Sequence, residues 1–165
     1  MMNIGNVYAL PAVISFFFFA VFSIVVYKKD PKSNINRLSS VLFLLIAMWS
    51  FFEFMLRWST DHQSAFFWAY MIFITIIFIP PITIHLSLIF PWSRKKAPKY
   101  IYLFYSLSII LFIFMLDPSF YLSGVEKYYA GYGSLITFFG ILLYIYMAFI
   151  GIIVIYILIK KLLLL

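Results

Sequence analysis

Glu53 and Arg57 stand four residues apart in the stretch WSFFEFMLRW (49–58), after an uncharged apolar run. On a helix, residues at i and i+4 share a face, and Glu ahead of Arg is the favourable order for an ion pair. Trp49 lies one further turn back on that face, so the stretch predicts a stripe of indole, carboxylate and guanidinium. If Ser59 marks the end of a membrane helix, Arg57 is near the surface and can snorkel outward. Glu53 is then six residues in, about 9 Å deep at 1.5 Å per residue. A charge at that depth is costly, so it is expected to face the bundle interior or a wet cavity and to have a partner. Two uses fit these residues: an internal salt bridge that locks helix packing, or the polar wall of a ligand- or proton-sensing pocket.

His85 is the other intramembrane ionisable residue, in IPPITIHLSLIF (79–90). It lies six residues before Pro91, about 9 Å from the opposite boundary. A hydrocarbon core of about 30 Å then separates Glu53 and His85 by about 12 Å in depth, too far for a proton-relay pair. A neutral histidine bonded to a neighbouring helix is the expected state. Pro80 and Pro81 just before it each remove a helix donor, so they are expected to kink this helix near mid-membrane, as a hinge or as a packing accommodation. There is no cysteine, and the two histidines, His62 and His85, lie in different segments. No metal and no cofactor is expected, nor is a thiol nucleophile. No phosphate-binding glycine loop and no G-x-S-x-G occurs, and GYG (131–133) lacks the residues of a potassium filter.

The elements that position these residues follow from composition. The chain has 165 residues, 66% hydrophobic and 10% charged. Soluble domains run at about 45–50% apolar and about 25% charged. The excess predicts an all-α polytopic membrane helix bundle over residues 1–165, because a helix needs roughly 20 apolar residues to cross the bilayer. Five segments serve: 7–27, 38–58, 65–90, 100–116 and 135–159. Their apolarity on every face argues against a strand barrel.

Charge sets the orientation. Lys28, Lys29, Lys32 and Arg37 lie in the first connector, Arg94, Lys95, Lys96 and Lys99 in the third, and Lys160 and Lys161 after the fifth segment. That is ten of the chain's twelve Lys and Arg residues on one side. Basic loops stay inside, so the N-terminus is expected outside and the C-terminus inside, in a prokaryotic cytoplasmic membrane. The net charge of +7 is thus assigned to the membrane surface rather than to nucleic acid. On the other side, residues 59–64 read as a tight turn. Residues 117–133 read as an aromatic segment lying at the headgroup level, or alternatively as a lid over an outer pocket. The ending IKKLLLL reads as a chain cut where a further helix begins.

The order NINR (34–37), Trp49, Glu53, Arg57, AFFW (65–68) and PPITIHLSLIFP (80–91) resembles the N-terminal multi-helix membrane region of sensor histidine kinases, usually seven helices. The family-like positions are Asn36, Arg37, Trp49, Glu53, Arg57, Trp68, Pro81 and His85. The resemblance implies a sensory input region with any enzymatic part, kinase or cyclase, downstream. The expected function is therefore sensing of a small or lipidic ligand, or of membrane state. The outer-leaflet pocket for it would be walled by Trp49, Glu53, Arg57 and Trp68, with movement passed through Pro80 and Pro81. Expected partners are the lipid bilayer, a homodimer or membrane partner subunit, and a cytoplasmic signalling domain if the chain continues. The alternative is a non-catalytic structural or accessory subunit of a larger transport or secretion complex.

Overall fold

The structure is a computed structural model that describes residues 4–91 and 98–163, with side chains from residue 7. Arg94, Lys95 and Lys96 of the basic connector lie outside the described residues. The helices are α1 (Ile4–Lys29), α2 (Asn34–Trp58), α3 (His62–Ile76), α4 (Ile79–Ile89), α5 (Ile101–Met115) and α6 (Phe138–Leu162). Between α5 and α6 a 3-10 turn (Pro118–Phe120) leads into an antiparallel hairpin of β1 (Leu122–Tyr128) and β2 (Gly131–Ile136).

Among the described residues, four spans are long and apolar enough to cross a membrane, α3 and α4 together forming one of them. α5 is apolar but has only 15 residues. The all-α membrane bundle expected from composition is therefore the architecture, with one small hairpin added. The α3–α4 span is central: 61% of its apolar window is buried within the protein, against 11–17% in the other three. The outer faces of α1, α5 and α6 present Ile14, Phe17, Ile110, Ile145 and Ile152, the surface a lipid phase solvates.

Several boundaries differ from the expected ones, each for a local reason. α2 begins at Asn34 rather than 38, because Ser33 caps it and accepts from the Asn36 N–H. Arg37 is thus a first-turn helical residue; its Nε donates to the Pro31 carbonyl and closes the connector. Asp30 accepts from the backbone N–H groups of Lys32 and Ser33 in the same turn. The single helix expected over 65–90 is two helices. Proline at 80 and 81 cannot donate to the carbonyls of Ile76 and Ile77, and the chain turns through Ile77 and Phe78 before α4 starts. α6 begins at Phe138 rather than 135, since Leu135 and Ile136 belong to β2 and Thr137 caps the helix by accepting from the Gly140 N–H.

Residues 117–133, expected at the headgroup level or as a lid, fold as the 3-10 turn and most of the hairpin, packed onto the helix bundle. Tyr121, Leu122, Val125 and Tyr132 are buried in one cluster with Phe52 and Leu56 of α2 and Ala69, Ile72 and Phe73 of α3. Gly131 sits on the end of α2, so close that a methyl group there would collide with the Arg57 carbonyl and lie 2.9 Å from its Cα. Its φ of +102° is also a backbone conformation that L-residues adopt only with strain.

At the opposite end, α1 and α2 are joined by a reciprocal pair. Ser23 Oγ donates to the Ser40 carbonyl and Ser40 Oγ to that of Ser23, both at 2.9 Å, and both side chains are buried. In lipid such small hydroxyl residues let helices approach closely while satisfying their own donors. Near the end of α6, Lys161 Nζ donates to the carbonyls of Ser87, Leu88 and Phe90, fixing the end of α4 to α6.

The entry to α3 is held by Asp61, which accepts from the Ser64 N–H and the Ser64 hydroxyl, both at 2.8 Å. Those bonds, the backbone one first, hold its carboxyl below the usual carboxylate range. A depressed folded pKa means the cap's contribution is present above the unfolded value and is lost as pH falls through the folded one. Asp61→Asn keeps a capping oxygen without the charge. The variant is expected to flatten the acid limb of a pH–stability profile in detergent without changing the neutral value appreciably. An acid limb identical to that of the parent chain would contradict the assignment.

Candidate functional site

The last three turns of α2 carry Trp49, Glu53 and Arg57 on one face. Arg57 Nε donates to Glu53 Oε1 at 2.8 Å and a terminal guanidinium nitrogen reaches the same oxygen at 2.5 Å. No described residue donates to Glu53 Oε2. The pair is about a third exposed, 34% for Arg57 and 29% for Glu53, so it is neither sealed in the core nor turned out to lipid alone.

What surrounds it is a cavity of about 610 Å³. Pro11, Ala12, Ser15 and Phe19 of α1 form one wall; Trp49, Ser50, Glu53 and Arg57 of α2 form the next. Ile72 of α3 and Tyr144 of α6 line it further round, and Gly133 and Ser134 of β2 complete the rim. A cavity of about 300–1,000 Å³ is of the size that holds small molecules. Its chemistry is mixed: a carboxylate oxygen still able to accept, guanidinium and hydroxyl donors, and an indole and a phenol for apolar or cationic groups. The residues assembled here are suited to binding and orienting.

The other sequence-selected residues are placed elsewhere. Trp68 does not line the cavity. It stacks on Phe52 with ring centroids 6.0 Å apart and meets Phe51 edge-on, a packing role between α2 and α3. His85 does not line it either; its Nδ1 is 3.0 Å from the Tyr105 hydroxyl of α5, with the rings edge-on. Pro80 and Pro81 are buried in the first turn of α4. Ile72, which does touch the cavity, lies one turn before the α3 end at Ile76, so the cavity wall and the helix break belong to neighbouring turns. Lys28 and Lys29, expected in the first connector, form the last turn of α1, because the apolar run continues the helix to them; Lys32 and Lys99 lie in the connectors at that same, other end of the bundle.

Composition and spacing did not point to the contributions of α1, β2 and Tyr144. The signal for β2 was present in part: two short runs flank a Tyr-Ala-Gly turn, and Gly is the residue such a turn requires. Among the described residues, no group of three or more His, Cys, Asp or Glu could hold a metal ion.

These features define a class: a multi-pass helical membrane protein with a polar cavity sheltered at one end of its bundle. The chain belongs to the family of N-terminal seven-transmembrane regions of histidine kinases, whose match runs over residues 11–164. That region is the sensory input part of such kinases. No curated protein and no solved structure matches the chain.

Proposed function

We propose that the cavity around Glu53 and Arg57 is the sensing site of this input region. It takes a small polar or amphiphilic ligand from the side of the membrane that carries the hairpin. The observation that carries the reading is the shared wall. The ion pair, the hairpin rim and Ile72 line one cavity, and Ile72 is one turn from the break between α3 and α4. A ligand that fits better when β2 and α3 close on it would bias the angle between α3 and α4. Lys161 would pass that change to the end of α6. Such a switch works only through unequal affinity for two arrangements.

The distribution of Lys and Arg supports an outside location for the hairpin and an inside location for the connectors, in a prokaryotic cytoplasmic membrane. A cytoplasmic kinase domain following α6, and a dimer of the whole protein, complete this reading.

The test is the output of the histidine kinase that carries this region, measured as autophosphorylation in membranes. Glu53→Gln and Arg57→Ala are each expected to shift basal output severalfold, since about 1.4 kcal/mol moves a two-state equilibrium tenfold. Unchanged output in both, at normal membrane levels, removes the reading.

A further inference from the structure

Among the described residues, the lining of the cavity carries two charged side chains, Glu53 and Arg57. Their contact uses only part of each. Arg57 Nε and one terminal nitrogen converge on Glu53 Oε1. Oε2 has no donor among the described residues, and the other terminal nitrogen of Arg57 has no acceptor among them. A guanidinium engaged along its Nε side still offers one N–H from each terminal nitrogen at its outer end, the fork that an oxyanion takes bidentately. The cavity thus holds one unused anionic acceptor and one unused cationic fork on side chains that touch each other.

Charge balance narrows the ligand. The pair is neutral as a whole and stands at a depth where uncompensated charge is costly. A cation on Oε2 alone, or an anion on Arg57 alone, would bring net charge into the cavity. A ligand with both an ammonium and an oxyanion meets both free groups and brings none. Position along α2 sets the order. Glu53 is one turn further from the hairpin end than Arg57, whose carbonyl lies against Gly131. The ammonium of the ligand therefore belongs no nearer the surface than its oxyanion. An ethanolamine phospholipid headgroup has the reverse order, with its ammonium outermost. Beyond the pair the wall is apolar and aromatic, with Trp49 and Ile46 down α2 and Ala12 and Phe19 from α1. Ile46 is seven residues below Glu53, about 10 Å at 1.5 Å per residue.

We propose that the ligand is a free α-amino acid with a large apolar side chain. Its ammonium sits on Glu53 Oε2, its carboxylate on the outer fork of Arg57, and its side chain runs past the Trp49 indole toward Ile46. Both charged ends of such a molecule leave one carbon atom, so they match two binding groups that are themselves in contact. The proposal rests on the reading of this cavity as the sensing site.

The test uses the histidine kinase that carries this region, in phosphatidylcholine nanodiscs, with three probes that share one aromatic tail. L-phenylalanine has both charges, 2-phenylethylamine only the ammonium and 3-phenylpropanoate only the carboxylate. L-phenylalanine is expected to bind roughly tenfold more tightly than either of the others, the worth of one hydrogen bond to a charged group. Glu53→Gln should weaken L-phenylalanine by a similar factor and strengthen 3-phenylpropanoate, because Arg57 then lacks its counter-charge. A loosened fold does not produce that reversal. It weakens all three probes together, as Ile46→Trp in the apolar part of the wall should do. Equal affinity of the parent protein for the three probes, or no binding of L-phenylalanine, overturns the proposal. So does displacement of L-phenylalanine by dioleoylphosphatidylethanolamine. Autophosphorylation in the same nanodiscs separates this proposal from the sensing reading. Output altered in Glu53→Gln with no preference for L-phenylalanine overturns the ligand and leaves the sensing site. Preference for L-phenylalanine with output indifferent to it supports the ligand and removes the sensing site.

Discussion

Gly131→Ala is expected to lower the apparent melting temperature in detergent more than any other single-methyl change in the hairpin. Two costs add. A φ of +102° is left-handed backbone that an L-residue enters at about 1–2 kcal/mol. The new methyl would also overlap the Arg57 carbonyl, and relieving such overpacking costs about 1–3 kcal/mol. Relief requires β2 to lift from the end of α2. That movement would carry Gly133 and Ser134 away from the cavity and expose Tyr132 and Val125, which are buried against α2 and α3. A limited-proteolysis cut appearing within residues 122–136 would report the lifting directly. A variant with the parent's melting temperature and no new cut would show that the hairpin is not seated on Arg57.

Arg57→Ala has the second largest expected effect, and its sign relative to the double variant is the informative part. Removing one member of a buried pair costs about 3–5 kcal/mol because the other charge is stranded. Here both groups are about a third exposed, so solvent screening reduces the expected loss to about 1–2 kcal/mol. The stranded group is Glu53, which both guanidinium contacts reach through one oxygen. Glu53→Gln added to Arg57→Ala removes that stranded charge and should recover part of the loss. If the double variant is less stable than Arg57→Ala by the full cost of a second independent lesion, the two residues are not coupled in the folded protein.

The sequence made the transmembrane character and the i, i+4 pair readable because both depend on local quantities. Length of apolar run and helical spacing need no tertiary information, and Glu53 and Arg57 meet as that spacing requires. The same spacing named Trp49, which lines the cavity beside them. Trp68 joins them only through the family resemblance, and which side of α3 it faces depends on how α3 rotates against α2. The stacking on Phe52 decides that. Pro80 and Pro81 announced an interruption, and the missing donors did break the span; its full separation into two helices follows from the turn at Ile77 and Phe78.

The hairpin was the least readable element. Its residues are the tyrosines and small side chains that also populate membrane interfaces. Burial of Tyr121, Leu122, Val125 and Tyr132 arises from contacts with α2 and α3, remote in the chain. The second half of the cavity wall was hidden for the same reason. Ser15 and Tyr144 come to line the cavity beside Glu53 only once α1 has packed on α2, and α6 on α4 and β2.

The chain contains no cysteine, so a single introduced thiol reports on one position. Ser50→Cys and Ser134→Cys place thiols on two different walls of the cavity, one on α2 and one on β2. Ile145→Cys places one on the lipid-facing side of α6. In sealed vesicles, a charged, membrane-impermeant thiol reagent is expected to modify the first two from the hairpin side alone, and both much faster than the third. If Ser50→Cys is as unreactive as Ile145→Cys, or is modified only from the side bearing the basic connectors, Glu53 and Arg57 do not face a water-filled cavity open toward the hairpin.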